Sequence, residues 1–407
     1  MRCRHCGNTS FIPFADLQNC PPSNSMLTEA TLHSPEIYYP LVVEVCDVCF
    51  LAQVDEHKAA AEIFDADYTY FSSFSKSWLD HAERYAAMAT ERFGLGPQSQ
   101  VIEVASNDGY LLQYFHARGI PVLGVEPTAN TAEVAVAKGI PTIVDFFGKA
   151  FAEERVPAAA NLIAGNNVFA HVPDINDFTA GLKAALKPGG VVTLEFPHLL
   201  RLIEQNQFDT IYHEHFSYLS LGTTERIFAA HGLKLFDVEQ LSTHGGSLRI
   251  FAAHADDESK PRSPNIEGVL AAEDQAGLRG REIYESFQPK IDRVRADFLR
   301  FLLDQRDAGK KVAGYGAAAK GNTLLNYCGV KGAELIGFVA DASPHKQGRY
   351  LPGSHIPVVA PDTIDREKPD IIVIFPWNLR DEIAAQLDHA RGWGAKFVTV
   401  IPELQVW

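Results

Sequence analysis

Two short runs of ionisable side chains lie close together in the middle of the chain. Residues 195–198 read EFPH, and residues 212–218 read YHEHFSY. Imidazole and carboxyl groups gathered in one place suit proton transfer, because histidine titrates close to neutral pH. For any one of these residues, a polar side chain that caps a helix in a surface loop is the plainer interpretation. The cluster as a whole favours chemistry, since loops at strand ends carry functional sites disproportionately.

The residues before the first run predict the strand that positions it. Residues 190–196 (GVVTLEF) are largely apolar and follow the turn at residues 188–190 (PGG), which is typical of a buried strand. In open α/β sheets, ligands bind beyond the carboxyl ends of the strands. We therefore expect Glu195 and His198 to lie at the mouth of such a site.

An earlier α/β unit has the pattern of a nucleoside-binding site. An amphipathic helix is expected near Leu79 to Phe93, ended by Gly94. A strand at residues 100–105 then leads into the turn 106–109 (SNDG), and a second strand ends in Glu126, 17 residues after Gly109. A third strand is expected at residues 141–145 and a fourth at residues 161–167. Backbone N–H groups of such a turn can approach a ligand, and the acid can accept both ribose hydroxyls. The turn lacks G-x-G-x-x-G, so a dinucleotide is not favoured, and a Rossmann-like unit without a ligand stays open. The candidate cofactor-binding residues are Glu103, Ser106, Asn107, Asp108, Gly109, Glu126, Asp145, Phe146, Asn166 and Asn167.

Two C-x-x-C pairs occupy the N-terminal region, Cys3 with Cys6 and Cys46 with Cys49. Each pair can form a knuckle whose thiolates face one ion, and together they predict a closed tetrahedral zinc site. Four thiolates leave no open ligand position, so this zinc is expected to be structural. A redox C-x-x-C is the alternative for either pair alone. The 39 residues between the pairs (7–45) exceed the spacer of compact zinc ribbons and indicate an insertion.

A second βα unit follows a helical, charged stretch at residues 264–307. Its segment at residues 314–319 (GYGAAA) matches G-x-G-x-x-A, and Asp341 ends the next predicted strand, 22 residues later. The pattern suits a dinucleotide, whereas Lys320 and Asn322 at the helix start suit a nucleotide diphosphate equally well.

The loop at residues 242–247 (STHGGS) connects two further predicted strands. Gly246 and Ser247, followed by Arg249, suit a phosphate or a sugar, and a plain hairpin turn explains the same residues equally well. Near the N-terminus, Tyr68 and Tyr70 either pack between domains or form a lid over a pocket.

Length, charge and cysteine content exclude several classes of protein. A chain of 407 residues with 46% hydrophobic and 21% charged residues predicts a globular enzyme of two or three domains. The net charge of −15 argues against binding to nucleic acid or to a membrane surface. Cysteines stand where a signal peptide has its apolar core, so a cytoplasmic location is expected. In that reducing compartment, metal binding explains the cysteines better than disulfides.

A set of motifs gives the chain its resemblance to a known family. In order, they are the paired C-x-x-C units, EVASNDG, NNVFAHVPD, EFPH, YHEHFSYL, HGGSLR and GYGAAAKGN. Over essentially its full length the chain resembles the S-adenosylmethionine-dependent sugar C-methyltransferases of deoxysugar biosynthesis. The resemblance implies an α/β fold with a small zinc-binding domain at residues 1–65 and a Rossmann-like class I methyltransferase core at 66–260. Linker helices and a second Rossmann-like domain would occupy 261–407.

The family's reaction gives each candidate residue a role. The resemblance implies a monomer that methylates C-3 of a nucleotide-linked 4-keto-6-deoxy sugar, with the nucleotide held by the C-terminal domain. A carbon beside a ketone loses a proton if a base reaches it and the enolate oxygen is stabilised.

His215 matches the last histidine of the family motif and is the expected base, while Glu214 orients or tunes a neighbour. His213 is expected to be only a helix-start or packing residue. Residues expected to bind the keto oxygen or ring hydroxyls are Tyr212, Tyr68, Tyr70 and His171. The expected substrate-binding residues are His198, His244, Gly246, Ser247, Arg249, Lys320, Asn322 and Asp341.

Two other functions remain open on the sequence. An NAD-dependent sugar oxidoreductase would use the unit from Gly314 to Asp341. A non-catalytic zinc-containing scaffold is disfavoured by the density of ionisable residues at predicted strand ends.

Overall fold

The computed structural model describes residues 1–64 and 70–407, so the predicted site residue Tyr68 lies outside the described residues. The strands, in chain order, are β1 (Phe11–Cys20), β2 (Tyr39–Cys46), β3 (Ala52–Val54), β4 (Val101–Val104), β5 (Val122–Val125), β6 (Thr142–Ile143), β7 (Ala160–Asn166), β8 (Leu186–Pro197), β9 (Ser217–Tyr218), β10 (Leu233–Leu241), β11 (Ser247–His254), β12 (Val312–Tyr315), β13 (Val339–Ala340), β14 (Val358–Val359), β15 (Ile371–Ile374), β16 (Lys396–Thr399) and β17 (Gln405–Val406). The helices are α1 (Ala60–Ile63), α2 (Lys76–Phe93), α3 (Leu112–His116), α4 (Ala129–Ala137), α5 (Lys149–Arg155), α6 (Ile175–Ala185), α7 (Leu199–Glu204), α8 (Leu221–Ala230), α9 (Pro264–Ala276), α10 (Glu282–Glu285), α11 (Phe287–Asp307), α12 (Ala319–Cys328), α13 (Thr363–Glu367) and α14 (Arg380–Gln386).

The N-terminal sheet is antiparallel, with strand order β1-β2-β3-β9. Along β1, Ile12, Phe14 and Leu17 are buried while several residues between them are exposed, the pattern of a strand with one face on a core. The edge strand β9 comes from far along the chain, and its Tyr218 pairs with Ala52 of β3. The YHEHFSY run therefore ends inside the sheet that carries the cysteine pairs.

The central sheet has the order β10-β11-β8-β7-β4-β5-β6. Strands β4 to β8 are parallel, and β11 lies antiparallel between β8 and β10. Strand β7 is apolar over most of its length and buried along nearly all of it, because helices cover both faces of a parallel sheet. This topology is that of a class I methyltransferase, so the predicted fold class is confirmed.

Element lengths differ from the sequence prediction at several points. Helix α2 begins at Lys76, three residues before the expected Leu79, because the Ser75 side chain accepts from the Trp78 N–H (3.3 Å) and caps the first turn. It ends at Gly94, whose φ of 59° is the left-handed conformation expected of that glycine. The third strand of the unit, expected at residues 141–145, is only the two-residue β6.

The C-terminal sheet has the order β14-β13-β12-β15-β16-β17, with only β17 antiparallel among its strands in the described residues. Its strand order reverses between β12 and β15, the place where such sheets bind ligands. Gly316, directly after β12, has a φ of 87°, and a Cβ there would lie 2.4 Å from Pro376 Cδ. Glycine is required because the turn after β12 lies against the segment after β15.

Helix α11 joins the N-terminal and C-terminal regions into one core. Its buried residues recur at helical spacing (Phe287, Ile291, Val294, Phe298 and Leu302), as expected for a helix with one apolar face. Phe14 of β1 stacks on Phe287 with ring centroids 4.7 Å apart. Among the helices of the described residues, none combines the length and low polarity that a membrane span requires.

Candidate active site

The four N-terminal cysteines converge as the zinc prediction requires. All four Sγ atoms lie within 4.8 Å of one another, and the pairs Cys3–Cys49 and Cys6–Cys46 are 3.5 Å apart. Zinc–sulfur bonds of about 2.3 Å in a tetrahedron place sulfurs about 3.8 Å apart, so the donor set fits zinc. Both knuckles close alike: Gly7 N–H donates to the Cys3 carbonyl and Phe50 N–H to the Cys46 carbonyl, each at 2.9 Å.

The predicted cofactor turn lies between β4 and α3. Ala105, Asn107 and Gly109 all have positive φ (56°, 48° and 75°), so the backbone winds tightly at the end of the strand. Glu126 follows β5, and its carboxylate accepts from the Asn107 N–H (2.8 Å) and the Thr128 N–H (3.0 Å). Glu126 Oε1 also accepts from the Thr128 hydroxyl, whereas Oε2 keeps a second lone pair, so Glu126 can hold the turn and still accept from a ribose hydroxyl.

Buried polar atoms without partners gather at the ends of the neighbouring strands β4 and β7. Asp108 Oδ1, Asn166 Nδ2 and Asn167 Oδ1 have no hydrogen-bond partner. Because buried polar atoms are almost always hydrogen-bonded, these fit a polar ligand bound at the turn. Glu103 is fully buried, and burial raises its pKa well above the usual value. Ser106 is fully buried as well.

Two other cofactor candidates, Asp145 and Phe146, are exposed and follow β6. The segment with Tyr70 instead covers the turn directly. Asn107 Nδ2 donates to the Tyr70 carbonyl (3.1 Å), and Ser72 N–H donates to Asn107 Oδ1 (2.8 Å). Tyr70 as a whole is 48% exposed, although its carbonyl is fixed by Asn107.

His215, His171 and Tyr212 form one aromatic cluster. The His215 ring lies 4.0 Å from the Tyr212 ring and 4.5 Å from the His171 ring, centroid to centroid. His215 Nδ1 donates to the Thr210 carbonyl at 2.9 Å, which leaves Nε2 as the unprotonated nitrogen. Burial and the nearby His171 lower the pKa of His215 well below its usual range. Burial also lowers the pKa of His171 to about 4, so both imidazoles are neutral at pH 7.

The two residues before His215 face other parts of the molecule. His213 packs against the N-terminal region, where its Nε2 lies 3.2 Å from the Pro40 carbonyl. Glu214 is buried and accepts from Asn24 Nδ2 at 2.6 Å. Burial raises the pKa of Glu214 to about 7, although the Asn24 hydrogen bond opposes the rise.

Two of the predicted substrate-binding residues are already paired with acids. Arg249 lies directly opposite Glu195 in the β11–β8 register, and its Nη2 donates to Glu195 Oε2 at 2.7 Å. His198 is buried, with its Nε2 2.7 Å from Glu273 Oε1. Polar groups that satisfy one another inside the protein hold strands and helices together, so both side chains already have a structural partner in this structure.

The loop before β11 is a hairpin turn that presents His244. Gly246 has a φ of 118°, and a Cβ there would lie 2.7 Å from Arg201 Cγ. Ser247 Oγ donates to the Thr243 carbonyl (3.0 Å), which closes the turn. His244 Nε2 accepts from Asn167 Nδ2 at 2.9 Å, so the loop reaches the end of β7.

The C-terminal candidates divide into two places. Lys320 is partly buried, with its Nζ 2.9 Å from Asn378 Oδ1 and 4.6 Å from the Trp377 ring centroid. Asp341 instead accepts from the Ala317 N–H at 2.7 Å, at the turn after β12. Asn322 is 1% exposed, and neither atom of its amide has a hydrogen-bond partner.

The sequence analysis did not identify four residues that lie near the site: His81, Asp209, Trp377 and Asn24. Trp377 Nε1 donates to Asp209 Oδ2 at 2.7 Å, which ties the segment after β15 to the run before YHEH. The only sequence signal for Trp377 was its position after a predicted strand. The others lie in segments without any motif.

Three family models and a full-length relative match this chain. Residues 3–64 match the family model "Putative zinc binding domain", residues 78–238 match "Methyltransferase domain", and residues 242–402 match "C-methyltransferase C-terminal domain". The chain is 36% identical to the C-methyltransferase NovU of Streptomyces niveus over 406 residues, which cover 99% of this chain and 96% of that protein. A solved 1,6-didemethyltoxoflavin-N1-methyltransferase of Burkholderia thailandensis is similar at 16% identity and a TM-score of 0.37, covering 53% of this chain and 96% of that one.

The central sheet and its cofactor turn define a class I methyltransferase. The full-length similarity is more specific: the chain belongs to the S-adenosylmethionine-dependent C-methyltransferase family. It is an enzyme that takes S-adenosylmethionine as methyl donor, acts on a small molecule and holds structural zinc at its four cysteines.

Proposed function

We propose that the enzyme methylates C-3 of a nucleotide-linked 4-keto-6-deoxy sugar. The proposal rests on the protonation and hydrogen bonding of the His215 ring. Its Nδ1 is committed to the Thr210 carbonyl, and burial keeps the ring neutral, so Nε2 is available as a base. Methylation at carbon needs such a base, because the carbon beside a ketone must lose a proton before it becomes nucleophilic.

The surrounding residues fit the charge that this step creates. His215 takes the proton from C-3, and the electron pair moves to the oxygen at C-4 as an enolate. Burial and then the charge of Glu214 raise the pKa of Tyr212 well above its usual value, so its hydroxyl stays protonated and can donate to that oxygen. Bound S-adenosylmethionine supplies an electrophilic methyl group, and the turn at Asn107 with Glu126 would hold its ribose. The new C–C bond would form as the S–CH₃ bond breaks, which would release S-adenosylhomocysteine and re-form the ketone.

The C-terminal region supplies the groups for the nucleotide in this proposal. Asn322 lies in the first turn of α12 with an unsatisfied amide, and Lys320 brings a positive charge to the same helix start. Asp341 shapes the turn after β12. We further propose that the enzyme works as a monomer in the cytoplasm, where a reducing medium keeps the four cysteines available to zinc.

Labelled S-adenosylmethionine and a panel of nucleotide-linked 4-ketosugars, followed by mass spectrometry, test the reaction. We expect one added methyl group on the carbon beside the ketone of at least one member. S-adenosylhomocysteine should raise the melting temperature and NAD should not, whereas the reverse result would favour a sugar oxidoreductase. Methylation at oxygen, or none across the panel, would contradict the proposed substrate.

Solvent exchange isolates the role of His215. With substrate and S-adenosylhomocysteine in D₂O, the wild type should introduce deuterium beside the ketone. His215→Asn removes the base, and we expect exchange to fall by about 10²–10⁴. His213→Asn is the matched control, since it makes the same change two residues away on a side chain that packs against the N-terminal region. Wild-type exchange in His215→Asn would assign the base to another residue.

A further inference from the structure

The long spacer between the cysteine pairs reaches well beyond the zinc site. Between β1 and β2, residues 21–38 run against the C-terminal region. Leu27 and Tyr350 form a short antiparallel bridge, with N–H···O distances of 2.9 and 2.8 Å. The Glu36 carboxylate accepts from the Gly353 N–H at 2.9 Å. The insertion is therefore fixed to the C-terminal region at two points, neither of which contacts a cysteine ligand.

Asn24 of this insertion contacts the YHEH run. Its Nδ2 donates to Glu214 Oε1 at 2.6 Å, across 190 positions of sequence. The neighbouring Ser23 is buried, with its hydroxyl 3.5 Å from Thr323 Oγ1 of α12. Thr323 in turn donates to the Ile211 carbonyl at 3.0 Å. The insertion, α12 and the active-site run thus meet at Ser23 and Asn24.

We propose that Asn24 is a positioning residue of the active site, which holds the Glu214 carboxylate ionised and in place within the YHEH run. The role in catalysis rests on the proposed function above. A donor aimed at a carboxylate favours its charged form, and charge-assisted hydrogen bonds are among the strongest in proteins. The charges of Lys58 from the N-terminal region and Lys346 from the C-terminal region also lower the pKa of Glu214.

The consequence is a pH dependence with a defined sign. Burial raises the pKa of Glu214 to about 7, and Asn24 is the first contributor that opposes this rise. Removing the donor raises the pKa further, so a larger share of Glu214 is protonated at neutral pH. In this proposal, catalysis needs the ionised carboxylate in the YHEH run. Activity therefore falls at neutral pH and returns at alkaline pH, which a simple packing defect would not produce.

Infrared difference spectroscopy tests the ionisation without any turnover. The spectrum of each protein minus that of its Glu214→Gln counterpart isolates the carbonyl band of protonated Glu214. In Asn24→Ala we expect the titration midpoint of this band to lie about one pH unit above the wild-type value. Ser25→Ala is the matched control, because Ser25 is the adjacent exposed residue and should leave the midpoint unchanged. An Asn24→Ala midpoint equal to that of the wild type overturns the proposal.

The kinetic pH profile tests the catalytic consequence. A rise of one unit from about 7 lowers the ionised fraction about fivefold at pH 7 and nearly tenfold at pH 6. The kcat of Asn24→Ala should fall by these factors and recover above pH 9, with KM nearly unchanged. An equal loss at every pH would reduce Asn24 to a packing residue. A wild type that methylates no 4-ketosugar would refute the proposed function and leave the infrared result to decide the ionisation.

Discussion

Glu195 is a fully buried acid at which α2, β11 and the hairpin loop meet, so replacing it with glutamine should disturb all three. Its Oε2 accepts from His81 Nε2 (2.8 Å) and from Arg249 Nη2 (2.7 Å), and its Oε1 accepts from Thr243 Oγ1 (2.8 Å). Glutamine has nearly the same shape but carries no charge, and its NH₂ group would face at least one of these donors. The substitution therefore removes the charge and one acceptor while leaving the volume unchanged.

The size of the effect follows from the pKa of Glu195. Burial alone would raise it, but the hydrogen bond from His81 and the charge of Arg249 lower it from 4.5 to about 2. At 1.36 kcal/mol per unit, this shift corresponds to about 3 kcal/mol of folding free energy. Because the folded-state pKa is depressed, the stabilisation is complete above pH 4.5 and is lost as the pH falls toward 2. Glu195→Gln should thus cost about 3 kcal/mol at pH 7, within the range for breaking a buried ion pair.

Urea unfolding of wild type and Glu195→Gln at a series of pH values measures this difference. Loss of zinc in acid affects both proteins, so the difference between them reports the local network. The control is Glu239→Gln, whose carboxylate also contacts Arg249 (3.0 Å) but is 34% exposed and should cost under about 1 kcal/mol. A Glu195→Gln effect no larger than that of Glu239→Gln, or one that stays constant from pH 7 to pH 3, would refute the reasoning.

Three further predictions concern zinc, the methyl donor and the sugar nucleotide. The purified protein should hold about one zinc per chain. Cys46→Ser should lose the zinc and destabilise the N-terminal sheet, whereas Cys20→Ala should keep it. Metal-free wild type that remains folded and active would contradict this prediction. Glu126→Gln should weaken S-adenosylhomocysteine binding by about 1–3 kcal/mol in calorimetry, with the exposed Glu133→Gln as control, and unchanged affinity would move the cofactor elsewhere. Lys320→Met should raise KM for the sugar nucleotide and leave KM for S-adenosylmethionine unchanged, since a ground-state contact acts on binding; a change in the second KM alone would reverse the assignment.

Local patterns in the sequence predicted the elements that the structure contains. Two cysteines at C-x-x-C spacing are brought together by one local turn of the backbone. The position of a glycine turn between two apolar runs likewise depends only on the strand and the helix beside it. The zinc cluster, the turn at Asn107 and the acid Glu126 depend on such neighbours, and the structure brings each group together. Strand lengths could be predicted less well. The strand expected at residues 141–145 contains only two residues, because pairing at the edge of the sheet determines where a strand ends.

Partners distant in sequence could not be predicted. Arg249 reads as a free cation after a glycine turn, but the β11–β8 register places it opposite Glu195. His198 reads as a group at a strand mouth, but α9 brings Glu273 within 2.7 Å of it. Both outcomes depend on which strands and helices pack together, and a single sequence carries no local signal for that choice.

We expect the zinc site to affect catalysis by positioning the YHEH run. The ion would lie at the four cysteines, and the strand that follows the second pair, β3, hydrogen-bonds with β9 through Ala52 and Tyr218. The Val54 N–H also donates to the Phe216 carbonyl at 3.1 Å, so the residue directly after His215 is fixed to the same sheet. Bound zinc would clamp the turn between β2 and β3 and so support their register, and β3 in turn pairs with the end of the YHEHFSY run. Loss of zinc should therefore reduce methyl transfer by displacing His215, even though the metal contacts neither substrate nor donor.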